Sequence, residues 1–207
     1  MASRRNIFSF PLITATEFLT YRRIWIISLK ITPDGNLWAV RYDGETDNAL
    51  FTVFDQWTDV IYLRSFFKEN WSDMSSFYKI KDVGTAVEDT IEDSDELESL
   101  LLSLSSDDDL DRLFHPLENF RITEMLLGKE KARLKREKGH SSWLRIYAIK
   151  LEQGVYVITG GAIKLTLKME EREHTRIELK KLEMVRQYLL AENIVDEDGF
   201  LDFVSTI

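Results

Sequence analysis

The apolar positions of this chain change period several times, and each change marks an element. Residues 22–30 (RRIWIISLK) are rich in β-branched and aromatic side chains, and a second such run, LWAVRYDG at 37–44, follows Pro33-Asp34-Gly35-Asn36. Turn chemistry between two β-rich runs predicts a hairpin. From Thr46 the spacing lengthens. Leu50, Phe51, Phe54, Trp57, Val60, Ile61 and Phe67 recur every three or four residues, the mark of an amphipathic helix whose aromatic stripe belongs in a core. Residues 85–112 keep an apolar stripe (Val87, Ile91, Leu97, Leu100, Leu101, Leu104) beneath a strongly acidic surface. A solvated helix followed by a Ser-Asp loop is expected there.

After a break at His115-Pro116-Leu117, residues 124–138 read as a short helix or a basic excursion. Residues 143–151 and 155–159 alternate as paired strands do, with Gln153-Gly154 as the turn between them. Gly160-Gly161 marks a bend or a close backbone approach at the end of the second strand. Residues 175–191 predict a helix, with Thr175 as N-cap and Glu178 as its partner in a capping box. Ile177, Leu179, Leu182, Val185, Tyr188 and Leu189 form its buried stripe. These elements make an α+β domain: a mainly antiparallel sheet with helices packed on one face.

Composition narrows the function. The 207 residues are 44% hydrophobic and 12% aromatic, enough for one core of ordinary size. The chain has no cysteine, which excludes disulfides and thiolate chemistry and fits a reducing, cytoplasmic setting. No apolar run approaches a membrane span of roughly 18 residues. His115, His140 and His174 do not fall at metal-ligand spacing, and no hydrolase or phosphate-loop signature occurs, so no metal or cofactor is expected.

Charge is the informative feature. Residues 129–150 hold eight basic side chains (Lys129, Lys131, Arg133, Lys135, Arg136, Lys138, Arg145, Lys150) and two acids, a net +6 within a chain of net charge −9. Such a segment points to an anionic partner such as RNA. Neutralisation by the acidic segment within the same protein is the other explanation.

Trp143-Leu144-Arg145-Ile146-Tyr147-Ala148-Ile149, a turn, Val157-Ile158-Thr159-Gly160-Gly161-Ala162-Ile163-Lys164-Leu165-Thr166 and the charged helix after them resemble the C-terminal half of RelE/HigB-type toxins. These are the ribonuclease components of type II toxin–antitoxin modules. The resemblance spans residues 114–190, with Phe114-His115-Pro116-Leu117 standing where such chains carry a Pro-Leu. It implies a RelE-like toxin domain over 37–207, carrying an acidic helical insertion around 85–112 and preceded by an extension at 1–36. The chain departs from the family in its length and in carrying Lys164-Leu165 where the family has a double lysine.

The resemblance also implies a chemistry. The ribose 2′-hydroxyl attacks the adjacent phosphate of mRNA, with the attacking group already tethered in the substrate, so no metal is needed. The protein must move protons and stabilise a dianionic phosphorane. By matched position Arg145 and Lys164 would contact the phosphate, and His140 would serve as general acid or base. Lys129, Lys131, Arg133, Lys135 and Arg136 would hold the RNA backbone, and Tyr147 would stack on a base or donate a hydrogen bond. A cognate antitoxin, a helix-turn-helix protein, is the implied partner, with mRNA on the ribosome as the target. The overall acidity, with a pI near 5.0, favours the alternative of a non-catalytic protein- or RNA-binding module on the same fold.

Overall fold

The computed structural model describes residues 29–31, 35–104, 110–117, 127–135, 139–151 and 155–205. The rest of the expected first strand, Pro33-Asp34 of its turn, the Gln153-Gly154 turn and Asp107–Asp109 lie outside these residues.

Two strands make the centre. β5 (Leu144–Lys150) and β6 (Tyr156–Ile163) pair antiparallel along their whole length. β4 (Gly128–Ala132) adds to β5, and β3 (Phe114–Pro116) adds to β4, both antiparallel. On the other side β2 (Leu37–Ala39) runs parallel to β6, and β1 (Leu29–Lys30) closes a hairpin onto β2. The sheet is therefore mixed, in the order β1-β2-β6-β5-β4-β3. β4 corrects the reading of residues 124–138 as a helix or an excursion. Its Lys-Glu-Lys alternation is that of a strand, with charge in place of the apolar residues that usually reveal one.

Helices cover both faces, which corrects the expectation of one covered face. The first face of β5 and β6 (Leu144, Ile146, Ala148, Tyr156, Ile158) packs with side chains of α1 (Ala49–Thr58), α2 (Val60–Glu69), α3 (Trp71–Phe77) and α4 (Val83–Ser103). The second face (Tyr147, Ile149, Val157, Ala162) packs with α6 (Glu173–Ala191) and α7 (Glu197–Ser205). A short α5 (Leu110–Leu113) leads into β3. Burial on both sides explains why every residue of β6 is buried and why that strand reads as a nearly continuous apolar run.

Local chemistry sets the helix ends. Asn48 accepts the backbone N–H groups of Leu50 and Phe51, and Asp59 accepts those of Ile61 and Tyr62. Asp59 thus divides the long aromatic stripe into two helices. α4 carries the acidic segment and is built into the first core through Val87, Leu97 and Leu101. Thr90 in its middle accepts the indole N–H of the buried Trp143 at 2.9 Å. Arg172 grips Asp73 of α3 with two bonds of 2.5 and 2.6 Å, fixing the start of α6.

The expected capping box is absent. α6 begins at Glu173, so Thr175 lies in its first turn and its hydroxyl donates to the Met169 carbonyl. Glu178 points instead into the sheet, and Ile177 is exposed.

Gly160 and Gly161 are the close approach that their sequence suggests. A Cβ on Gly161 would stand 2.8 Å from the Arg145 carbonyl oxygen, 2.9 Å from Val53 and 3.0 Å from Trp57. Two of these neighbours belong to packed core and one to backbone, so none yields cheaply. Gly161→Ala is expected to destabilise the fold by about 1–3 kcal/mol. A thermal denaturation curve checks this, and an unchanged midpoint would refute the packing described.

Candidate functional site

The register of the sheet gathers cations on its second face. Lys131 lies opposite Tyr147, and Tyr147 opposite Gly160. One step along, Arg145 lies opposite Ala162, and Ala132 lies opposite Ile146. Continuing that register beyond the end of β4 brings Arg133 level with Arg145. Lys164 follows directly after β6. By alternation Lys131, Arg145 and Tyr147 share the face that α6 packs against. Lys131, Arg133, Arg145 and Lys164, drawn from three strand ends, thus stand within each other's electrostatic reach.

The partners of these cations are oxygen dipoles. Arg145 Nη1 donates to the carbonyls of Ser142 and Leu144, at 2.8 and 2.6 Å. Lys164 Nζ donates to the carbonyls of Thr166 and Leu167, both at 2.6 Å. Lys131 Nζ donates to the Leu117 carbonyl at 3.0 Å. Among the described residues, no carboxylate forms an ion pair with Arg133, Arg145 or Lys164. Glu170 and Glu171 act on Lys164 only at longer range.

The protonation equilibria carry the same mark. Burial, and then the neighbouring Arg133, push Arg145 down to about 10. Burial and then Arg145 lower Lys164, with Lys131 adding to the effect. Lys131 is lowered by burial, then by Arg145 and Arg133. Like charges opposed across a sheet are destabilising. The fold accepts that cost here, and fixed carbonyl dipoles hold Arg145 and Lys164 in place.

The other expected residues fall elsewhere. Lys129 forms a 2.6 Å ion pair with Glu183 of α6, and Lys150 a 2.8 Å pair with Asp111. Two members of the basic run are thus ion-paired. Lys135 is exposed, and Arg136 lies outside the described residues.

The Tyr147 ring is fully buried, and its hydroxyl has no partner. A covered ring offers no stacking platform in this conformation, which leaves the hydroxyl as its polar feature. Burial raises its pKa far above the ordinary tyrosine value, with nearby Arg145 opposing the shift.

His140 lies flat on Trp143, with ring centroids 4.1 Å apart, and its Nε2 is 3.0 Å from Asp89 of α4. Its Nδ1 is 3.0 Å from the Ser141 carbonyl oxygen. Both nitrogens face oxygen acceptors, so neither presents a lone pair to a substrate in this arrangement.

Tyr78, which sequence reasoning missed, bridges the two regions. Its ring meets those of His140 and Trp143 edge to face, and its hydroxyl donates to the Lys164 carbonyl at 3.3 Å. It also lies in the field of Arg145 and Arg133. α4 packs against the opposite face of the sheet, where Asp89 engages His140.

Among the described residues no group of histidines and carboxylates is arranged to hold a metal ion, and no helix is long and apolar enough to cross a membrane. No family model, curated protein or solved structure matches the chain, so the reading of the site rests on these residues.

Arg133 is exposed and adds repulsion to the cluster without a carboxylate partner. Arg133→Gln is therefore expected to leave the melting temperature unchanged or raise it by about 1 °C at low salt, the scale of one surface charge interaction. The gain should fade in high salt. A clear loss of stability would show that Arg133 has a stabilising partner instead.

Proposed function

We propose that this chain is a RelE/HigB-like toxin: a metal-independent endoribonuclease that grips a backbone phosphate of mRNA with the cluster formed by Lys131, Arg133, Arg145 and Lys164. The observation that carries this reading is that Arg145 and Lys164 are anchored by main-chain carbonyls, with no ion-pairing carboxylate among the described residues. Such cations are preorganised for an anion that is not part of the protein, and they require little rearrangement when it arrives. Arg145 offers a planar fork to two phosphate oxygens, and Lys164 a point charge on the flank.

The proposed reaction is attack of the ribose 2′-hydroxyl on the adjacent phosphorus. The bond to the 5′-oxygen breaks, leaving a 2′,3′-cyclic phosphate and a 5′-hydroxyl. Arg145 and Lys164 stabilise the phosphorane. A neighbouring antitoxin would silence the protein in the cytoplasm.

A second reading has its own support: a protein of the same architecture that binds RNA or protein without cleaving it. His140 has both nitrogens engaged, and the Tyr147 hydroxyl is buried. Neither stands ready as a base in this conformation.

Induced expression separates the two. The toxin reading predicts growth arrest by the wild type and its relief in the Arg145→Ala, Lys164→Ala double variant. It also predicts that the purified wild type cleaves RNA to cyclic-phosphate ends in the presence of a chelator, with loss of at least about 100-fold in the double variant, the scale of removing one transition-state charge contact. A folded wild type that arrests nothing and cuts nothing moves the binding reading ahead.

A further inference from the structure

Strand β6 has a neighbour on its β2 side only as far as Ile158. Val40 N–H bonds the Ile158 carbonyl at 3.0 Å, and no strand follows among the described residues. Side chains answer the backbone groups beyond that point. The Tyr42 hydroxyl donates to the Thr159 carbonyl at 2.6 Å, and His174 Nε2 lies 2.9 Å from the Ile163 carbonyl. Between them the carboxylate of Glu178 lies against Gly160 and within electrostatic reach of the Gly161 N–H.

Glu178 is seated by more than that contact. Lys181 Nζ holds its Oε1 at 2.7 Å, while Oε2 is buried with no hydrogen-bond partner among the described residues. Gly160, at φ +154°, presses directly on Oε2, and a Cβ at that position would collide with it. The absence of a side chain on Gly160 therefore makes the seat. Gly160 lies opposite Tyr147, Gly161 opposite Ile146 and Ala162 opposite Arg145. The groups that face Glu178 come from every neighbouring element: Tyr42 after β2, Tyr62 of α2, Tyr147 of β5, and Lys181 and His174 of its own helix.

We propose that Glu178 is a positioning residue of the cationic site: it substitutes for the missing strand at Gly160–Gly161 and so fixes Arg145 and Lys164 relative to each other. The proposal rests on the reading of that cluster as an anion site. Glu178 itself touches no cation of the cluster; it acts through β6, which pairs with the backbone of Arg145 and leads directly into Lys164. The requirement is an acceptor oxygen at the right reach, and a negative charge is secondary. Burial raises the carboxyl above its ordinary value, opposed by Lys181.

Two conservative variants separate reach from charge. Glu178→Gln keeps the length and the acceptor oxygen but loses the charge. Glu178→Asp keeps the charge and withdraws the oxygen by one methylene. Val185→Ala, a core truncation on the same helix, controls for lost stability alone. The readout is affinity for a short fluorescent single-stranded oligoribonucleotide, measured by anisotropy at a temperature where all four proteins are folded.

Gln and the Val185 variant are expected to bind within about twofold of wild type, and Asp about tenfold more weakly, the usual cost of disturbing a supporting contact. Asp binding like wild type, Gln weakening as much as Asp, or the Val185 variant losing as much as Asp would each overturn the proposal. A wild type that binds no oligoribonucleotide would overturn the anion-site reading, and this inference with it.

Discussion

A strand buried on both faces has no water to satisfy its backbone, so every N–H and C=O along its edges needs a partner within the protein. β6 is such a strand, and it is paired on its β2 side for only part of its length. The surrounding architecture follows from how the remainder is satisfied. α6 is placed so that Glu178 and His174 reach the open stretch, and Tyr42 reaches it from the loop after β2. Two successive glycines let the helix and the first core approach the same stretch of backbone from opposite sides. The Arg172–Asp73 pair then ties the start of α6 to the helices on the far face.

The cationic cluster lies at the end of the sheet that this arrangement holds rigid. Its members oppose each other, and main-chain carbonyls hold Lys131, Arg145 and Lys164 in place. A structural role would be served better by carboxylates, which neutralise the two lysines a few residues away in Lys129–Glu183 and Lys150–Asp111. On the proposed reading, this contrast separates charges that serve the fold from charges that would meet a phosphate, while the acidic helix α4 packs against the other face of the sheet.

Much of the fold was legible in the sequence. The hairpin into β2, the β5–β6 pair, the aromatic helices and the last long helix all followed from periodicity and turn chemistry. β4 was not legible, because its outward and inward positions alternate lysine with glutamate and alanine, so the strand period carries no apolar signal. The second helical layer was foreshadowed by the unbroken apolar character of β6, a pattern that alternation rules for half-exposed strands misread.

Thr175 and Glu178 matched the spacing of a capping box, yet α6 starts two residues earlier and Glu178 turns inward. The family resemblance singled out Arg145 and Lys164, which the fold brings within electrostatic reach of each other. Tyr78 and Asp89 carry no such signal; tertiary contact alone brings them there, from 67 positions before Arg145 and 51 before His140.

The central claim is that Lys131, Arg133, Arg145 and Lys164 act together as one site for the RNA backbone. The dependence of oligoribonucleotide affinity on salt tests it most directly, because each phosphate neutralised releases counterions in proportion. Four engaged cations predict a log–log slope of about −2.8, becoming shallower by about 0.7 for each cation removed. A slope near zero, or one unchanged when Arg145 and Lys164 are both replaced by alanine, would contradict the account.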